Sequence, residues 1–443
     1  MSTIDRCRGL FAGMLLLTPG IAATADLPEI ASWEMDNGVR VLFMEVREIP
    51  MVTAQLTFSA GAARDEDQPG RARLTAEGLM SGTRERDADA IAAAIDRHGA
   101  RVNTGAARDM AWLTVTSLSD PDALWSTVER LAEVLAEPAF PDAEFERLVT
   151  RHRTALREQQ QSPARIADRL FWETAYADHP YASDPLGTPE SLEAMTPADL
   201  HDFHETFYVG ENAYLAVVGD LDRAAAERFA RALTGDLPAG AAPPPTPPAP
   251  PLEKDVEVRE SFPSTQTHIT VGRPGVARGP DDSAALHVAN HVFGSASFTS
   301  RLFREVREAR GLAYGVRSSS SAMAAEGPYR IRLRTRGDQA EEALAVVETE
   351  LERFLADGPT PEETAASVAN ITGGFPLTID ANSRIVGYLG VMGFYDLRLD
   401  YIEAYPKAVA EVDADAAHAA FREQLGERPW VTVIVGGDRA RTE

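Results

Sequence analysis

The chain has 443 residues, 44% of them hydrophobic, with 43 Lys and Arg against 68 Asp and Glu, a formal charge of -25 and an isoelectric point near 4.8. That balance speaks against nucleic acid as a partner, because phosphate binding needs clustered Lys and Arg to release counterions, and it repels anionic membranes. Length and apolar content suffice for two or more domains with their own cores, and a single cysteine, Cys7, rules out a disulfide framework.

In chain order, the first residues read as an export signal. Arg6 and Arg8 precede an apolar run over 10–17, a breaker at Pro19-Gly20 and small residues at Ala23-Thr24-Ala25. Cleavage after Ala25 leaves a mature chain without cysteine that starts at Asp26 and is periplasmic or secreted; a retained N-terminal anchor is the alternative. No later stretch reaches ~18 apolar residues, so no membrane span is expected in the mature chain. Strand-like alternation marks 39–46, 51–59, 110–118, 213–218, 266–272, 328–335 and 430–435. Helical periodicity marks 87–98, 121–136, 141–161, 163–177, 281–293, 339–357 and 361–372. A further helix starts at Thr196-Pro197 and carries Leu200, Phe203 and Phe207.

The proline run over 240–251 fits neither a helix nor a central strand and predicts an extended spacer. The two sides of it share a grammar. Gly61-Ala-Ala-Arg64 and Gly275-Val-Ala-Arg278, 214 positions apart, each precede an acidic turn (Asp281-Asp282 in the second case) and a helix, and the run ending at Asp220 resembles the run ending at Asp438. Hence the expected organisation: a signal peptide over 1–25, one domain over 26–237, a linker over 238–252 and a second domain over 253–443. The fold class is α+β, with two homologous α/β-layer domains related by a pseudo-twofold, each a mostly antiparallel sheet packed by helices. A cationic peptide would be attracted to so acidic a surface, although solubility accounts for the charge equally well.

Three segments resemble the insulinase/pitrilysin family, in particular short bacterial members similar to mitochondrial processing peptidase subunits. They are Gly70-Arg-Ala-Arg-Leu-Thr-Ala-Glu-Gly-Leu-Met-Ser-Gly-Thr83, the run over 203–213 leading to Val217-Val-Gly-Asp220, and the run over 298–314. The likeness covers essentially the whole mature chain and implies the processing-peptidase fold, also seen in the metalloenzyme LuxS, closed around a chamber. In this family the first segment carries His-x-x-Glu-His, whose imidazoles hold zinc while the carboxylate activates water. Here those positions read Arg73, Ala76 and Glu77, and the third ligand, 77 positions after the second histidine, falls on Thr154. A guanidinium and a methyl do neither job, so no metal is expected in this chain. Glu158, one turn beyond Thr154, is the alternative ligand. Arg73 and Glu77 stand at i and i+4, the spacing of an ion pair, with Arg73 bringing positive charge where the family keeps its metal.

In the second half, His287-Val-Ala-Asn-His291 occupies the repeat-equivalent place. Its third-ligand position is Val368 and Asn290 cannot act as a base, so a solvated or packed helix is expected. His201-x-x-His204 is expected on a helix surface. Arg307 and Tyr314 match the pair by which the family's second half contacts substrate opposite the zinc: the phenol donates to an oxyanion and the guanidinium grips a carbonyl. Gly311 would end the preceding helix, releasing the chain into a strand near Ala313. The residues alone also allow Arg307 to pair with Glu305 or Glu308 and Tyr314 to be a buried strand aromatic.

The resemblance thus implies a non-catalytic subunit of an exported heterodimeric zinc peptidase, inactive alone, that helps to enclose an unfolded peptide against a sheet edge. Arg307 and Tyr314 would complement the active site of a homologous zinc-bearing partner. The alternatives are a degenerate scaffold or peptide-binding protein with no share in catalysis, and a lone protease with a relocated metal. Gly373-Gly374 reads as a hinge or a close-packing point.

Overall fold

The computed structural model describes residues 28–279, 283–426 and 429–437. The expected export signal, with Cys7 and the cleavage site at Ala25, lies outside the described residues, as do Asp281, Asp282 and Asp438. The first half runs β1 (Ile30–Glu34), β2 (Arg40–Glu45), β3 (Met51–Phe58), α1 (Arg71–Gly78), α2 (Ala88–Asp96), β4 (Arg101–Ala106), β5 (Ala111–Leu118), α3 (Pro121–Ala136), α4 (Asp142–Gln160), α5 (Pro163–Tyr176), α6 (Pro189–Ala194), α7 (Pro197–Phe207), β6 (Ala213–Gly219) and α8 (Arg223–Thr234). The second runs β7 (Val256–Glu260), β8 (Gln266–Pro274), α9 (Ala284–Asn290), β9 (Ala313–Ser320), β10 (Pro328–Arg336), α10 (Ala340–Asp357), α11 (Pro361–Gly374), α12 (Asn382–Phe394), α13 (Tyr401–Ala410), α14 (Ala414–Leu425) and β11 (Val431–Val435).

Local chemistry explains many of these bounds. Asp120 accepts the amides of Asp122 and Ala123 while Pro121 fills the first helical position, so α3 starts where its cap stands. Thr360 and Glu363 form a reciprocal capping box at the start of α11.

The strand order is β1-β2-β6-β3-β5-β4 in the first sheet and β7-β11-β8-β10-β9 in the second. The second order repeats the first strand for strand, with β1 added at one edge. In both sheets a single parallel pair, β2 with β6 and β7 with β11, joins otherwise antiparallel ladders.

The halves are knitted by exchanged helices. From the first half, α5 lies on β8 and β11, burying Phe171, Trp172 and Tyr176 with Val431, Val433 and Val435. From the second, α12 lies on β6, β3 and β2, burying Ile385, Val386 and Leu389 with Met44, Ala216 and Val218. Gly390 makes that seat close, since a Cβ there would stand 2.6 Å from Gln55 Nε2. Gly373 and Gly374 have no such role: a Cβ on either meets nothing within 4 Å. The proline segment between α8 and β7 has no helix or strand and is tied down on both sides. His179 Nε2 donates to the Pro247 carbonyl (2.8 Å), and the Ala249 amide donates to the Glu326 carboxylate (2.7 Å). At the seam, buried Asp109 accepts from the Tyr181 hydroxyl, the Tyr395 hydroxyl (2.9 Å) and the Ala324 amide (2.9 Å).

Candidate functional site

Helix α1 begins where Gly70, at φ +94°, turns the chain and the buried Asp65 carboxylate accepts the amides of Gly70 (2.8 Å) and Ala72 (2.7 Å). Its core face buries Ala72, Leu74, Thr75 and Ala76. On its polar face the Arg73 guanidinium donates to Glu77 at 2.8 Å, the ion pair that the i,i+4 spacing predicts. The second Glu77 oxygen faces Arg151 Nη2 at 3.4 Å and His152 Nε2 at 3.3 Å, both from α4. Burial alone would raise the Glu77 carboxyl, but His152 and Arg73 outweigh it and hold the group at about 2.

The four positions that carry zinc chemistry in the resemblance therefore do other work. Arg73 and Glu77 belong to a charge cluster, Ala76 is in the core, and Thr154 is exposed and donates to the Thr150 carbonyl of its own helix (2.9 Å). Glu158 is exposed one turn further on. This donor set does not fit a zinc ion, and among the described residues no group of three or more His, Cys, Asp or Glu side chains is placed to hold a metal. Sequence reasoning missed His152, which is 2% exposed and completes the cluster. Its place two residues before the third-ligand position was the available signal.

In the second half, His287 bonds the Tyr405 hydroxyl, and His291 uses both ring nitrogens, one with Ser367 Oγ (2.9 Å) and one with the Asn370 carbonyl oxygen (3.2 Å). Asn290 is buried and accepts from Tyr329 (2.9 Å) and Ser318 (2.6 Å). Val368 packs against the second core. This is a packed helix whose histidines line a cavity of about 980 Å³ bounded by α11, α12 and β9. The surface expectation for His201-x-x-His204 fails at His204. That ring is buried, stacks on Tyr208, donates to the Leu135 carbonyl (2.9 Å), and is pushed down to about 4 by burial. An imidazole that satisfies a helix-end carbonyl can sit in a core, which spacing alone does not reveal.

Arg307 stands in a π-helical turn, Phe303–Glu308, and the chain leaves it at Gly311 (φ +64°) before β9 starts at Ala313. The guanidinium carbon lies 5.0 Å from the Tyr314 ring centre and 4.9 Å from that of Phe303. The packing alternative does not hold. Tyr314 is 71% exposed, Glu305 pairs with Arg310, and Arg307 forms no ion pair with Glu305 or Glu308. Both side chains line an open cleft of about 460 Å³ beside the start of α5.

A duplicated α/β-layer chain whose metal helix carries an ion-pair cluster defines a peptidase scaffold that lacks the ligands for its metal. The chain belongs to the insulinase family, peptidase family M16: the profile of that family matches residues 40–189, and the profile of the peptidase M16 inactive domain matches residues 194–371. It is an inactive peptidase homologue of that family. The crystal structure of a peptidase M16 inactive domain from Pseudomonas fluorescens is 34% identical, with a TM-score of 0.89 over 94% of this chain and 100% of that one. An uncharacterized zinc protease of Streptomyces coelicolor is 27% identical over 90% of this chain and 88% of its own length. A non-peptidase homologue from Helicobacter pylori is 26% identical over 76% of this chain and 78% of its own.

Proposed function

We propose that the chain is the non-catalytic, substrate-binding subunit of an exported heterodimeric zinc metallopeptidase that degrades or processes peptides. The observation that carries this reading is the contrast between a metal position closed by its own ion pairs and an Arg307–Tyr314 pair that, among the described residues, has no ion pair or hydrogen bond and lines an open cleft. A zinc-bearing homologous subunit would supply metal and general base, and Arg307 and Tyr314 would hold a substrate carbonyl and donate to the developing oxyanion. The cleavable N-terminal pattern supports export, and among the described residues no helix is long and apolar enough to cross a membrane.

The test is reconstitution with a purified M16 chain bearing an intact His-x-x-Glu-His motif. Cleavage of an unfolded peptide should require both chains, and Arg307→Ala or Tyr314→Phe should slow it by about 100-fold with the dimer intact. Elemental analysis of the isolated chain should find no stoichiometric zinc. The second reading, a scaffold or peptide-binding protein without a catalytic share, is favoured by the Helicobacter relative named a non-peptidase homologue. It gains if both substitutions leave reconstituted cleavage unchanged.

A further inference from the structure

Strand β10 places Tyr329, Ile331, Leu333 and Thr335 in the core and Arg330, Arg332, Arg334 and Arg336 on the opposite face. The register sets Arg317 of β9 directly across from Arg332, and His268 of β8 across from Arg334. The like charges of Arg317 and Arg332 oppose the ladder between them, while burial and Arg334 push His268 down, toward its neutral form. At the two ends of the row the chain supplies acids, Asp168 to Arg330 and Asp338 to Arg336. In the middle it supplies none: Arg317, Arg332, Arg334 and the neighbouring Arg307 have no ion pair and no hydrogen bond among the described residues. These four guanidiniums line the 460 Å³ cleft, and no Asp or Glu is among its walls, in a chain with 68 acids against 43 bases. Burial above all, with Arg330 and Arg317 adding to it and Asp168 opposing, pushes the Arg332 guanidinium below its ordinary value.

Beside the cations stand the apolar surfaces of Phe298, 69% exposed, and Tyr314. Strand β9 is the open edge of its sheet, with main-chain groups available to an extended peptide. A guanidinium fork takes a carboxylate bidentately, and a second and third fork nearby take a further one. We infer that this cleft selects acidic peptides, with Asp or Glu side-chain carboxylates of an extended segment docking on Arg317, Arg332 and Arg334. The inference rests on the reading of the Arg307–Tyr314 cleft as a peptide site and assigns it a substrate class opposite to the one the net charge suggests.

The test is fluorescence anisotropy on the full chain with two short labelled peptides, acetylated and amidated, identical except that one carries Glu where the other carries Gln. The Glu peptide should bind at least about tenfold more tightly, and about 0.5 M NaCl should erase most of the difference by screening. Arg332→Ser with Arg334→Ser should bring the two affinities to within about twofold, while Arg332→Lys with Arg334→Lys should keep a clear preference by retaining charge without the fork. Equal affinities in the wild type, a preference that survives the serine pair, or no saturable binding of either peptide overturns the inference. If the serine pair fails to fold, the salt titration of the wild type and the lysine pair decide alone. The subunit reading is judged separately: loss of the Glu preference with an intact effect of Arg307→Ala on reconstituted cleavage refutes only the acidic class. The preference without that effect refutes only the subunit role.

Discussion

Helices α1 and α9 hold the same place in the two halves, 214 positions apart, and treat their polar faces in opposite ways. In α1 the polar groups are closed upon one another: the charges of Arg73, Glu77 and Arg151 and the His152 ring form one cluster against α4. In the second half His287 of α9 and His291 just after it bond neutral groups at a cavity wall, and Arg307 lies between the Phe303 and Tyr314 rings at the wall of an open cleft. A scaffold that gives up its metal must still satisfy the polar groups around the vacated position. The first half does so by ion pairing, whereas in the second Arg307 has no ion pair or hydrogen bond among the described residues, and the proposed binding role rests on that difference.

The most damaging way to break the contrast is to remove Glu77. Glu77→Ala leaves His152, 2% exposed, and Arg73 without an anion, and should cost about 2 kcal/mol in urea unfolding, less than a fully buried pair because Arg73 and Arg151 reach solvent. A loss under about 0.5 kcal/mol would show that solvent screens the cluster and that the two helices differ less than the contacts indicate.

The same group has a pH signature. Glu77 titrates at about 2 in the folded chain against an ordinary 4.5, so its stabilisation is complete above 4.5 and is lost as the pH falls through about 2. Glu363 is held at about 2 as well: burial raises it, and Arg301, the Thr360 amide and Arg304 outweigh that. Acid unfolding of the wild type therefore draws on both halves. Glu77→Gln should lower stability at neutral pH and leave the two stability curves converging toward pH about 2, a difference read from urea midpoints across the range. Parallel curves at all pH values would remove the charge cluster as the source.

How far this contrast was legible in the sequence depended on whether a signal was local. The replaced metal positions and the Arg73–Glu77 pair lie within one helix, and α3 appears at 121–136 because its cap and its apolar stripe agree. Strands β4 and β7 escaped because they are short edge strands with few buried side chains, and Gly105 interrupts the first. Helix α12 escaped because Gly387, Gly390 and Gly393 read as breakers, although Gly390 permits the close seat on the first sheet. The exchange of α5 and α12 between sheets, and the His152–Glu77 contact across 75 positions, are tertiary facts with no periodic trace. That Arg307 has no ion pair among the described residues belongs with them, since Glu305 and Glu308 both stand within two positions of it and only the fold assigns Glu305 to Arg310.

A smaller effect is expected at His291, just past the end of α9. His291→Ala loses a bond to Asn370, which lines the cavity, and one to Ser367, which is buried but can turn its hydroxyl to a carbonyl of its own helix, so about 1 kcal/mol is expected by the same unfolding measurement. His291 is pushed below its ordinary value by burial. A cost as large as that of Glu77→Ala would mean that the second helix is locked as firmly as the first.

The smallest stability effects should fall on the pair to which the function is assigned. Tyr314→Phe removes a hydroxyl with no bonded partner among the described residues from a side chain that is 71% exposed, and leaves the ring under Arg307. Arg307→Ala removes contacts with two rings at about 5 Å and no ion pair. Each should change unfolding free energy by less than about 0.5 kcal/mol, the range of surface substitutions away from special features. The combination of near-zero stability cost with a large effect on reconstituted cleavage is what separates a working pair from a packing pair. If either substitution costs more than about 1.5 kcal/mol, the side chain supports the π-helical turn, and the second half is as self-satisfied as the first.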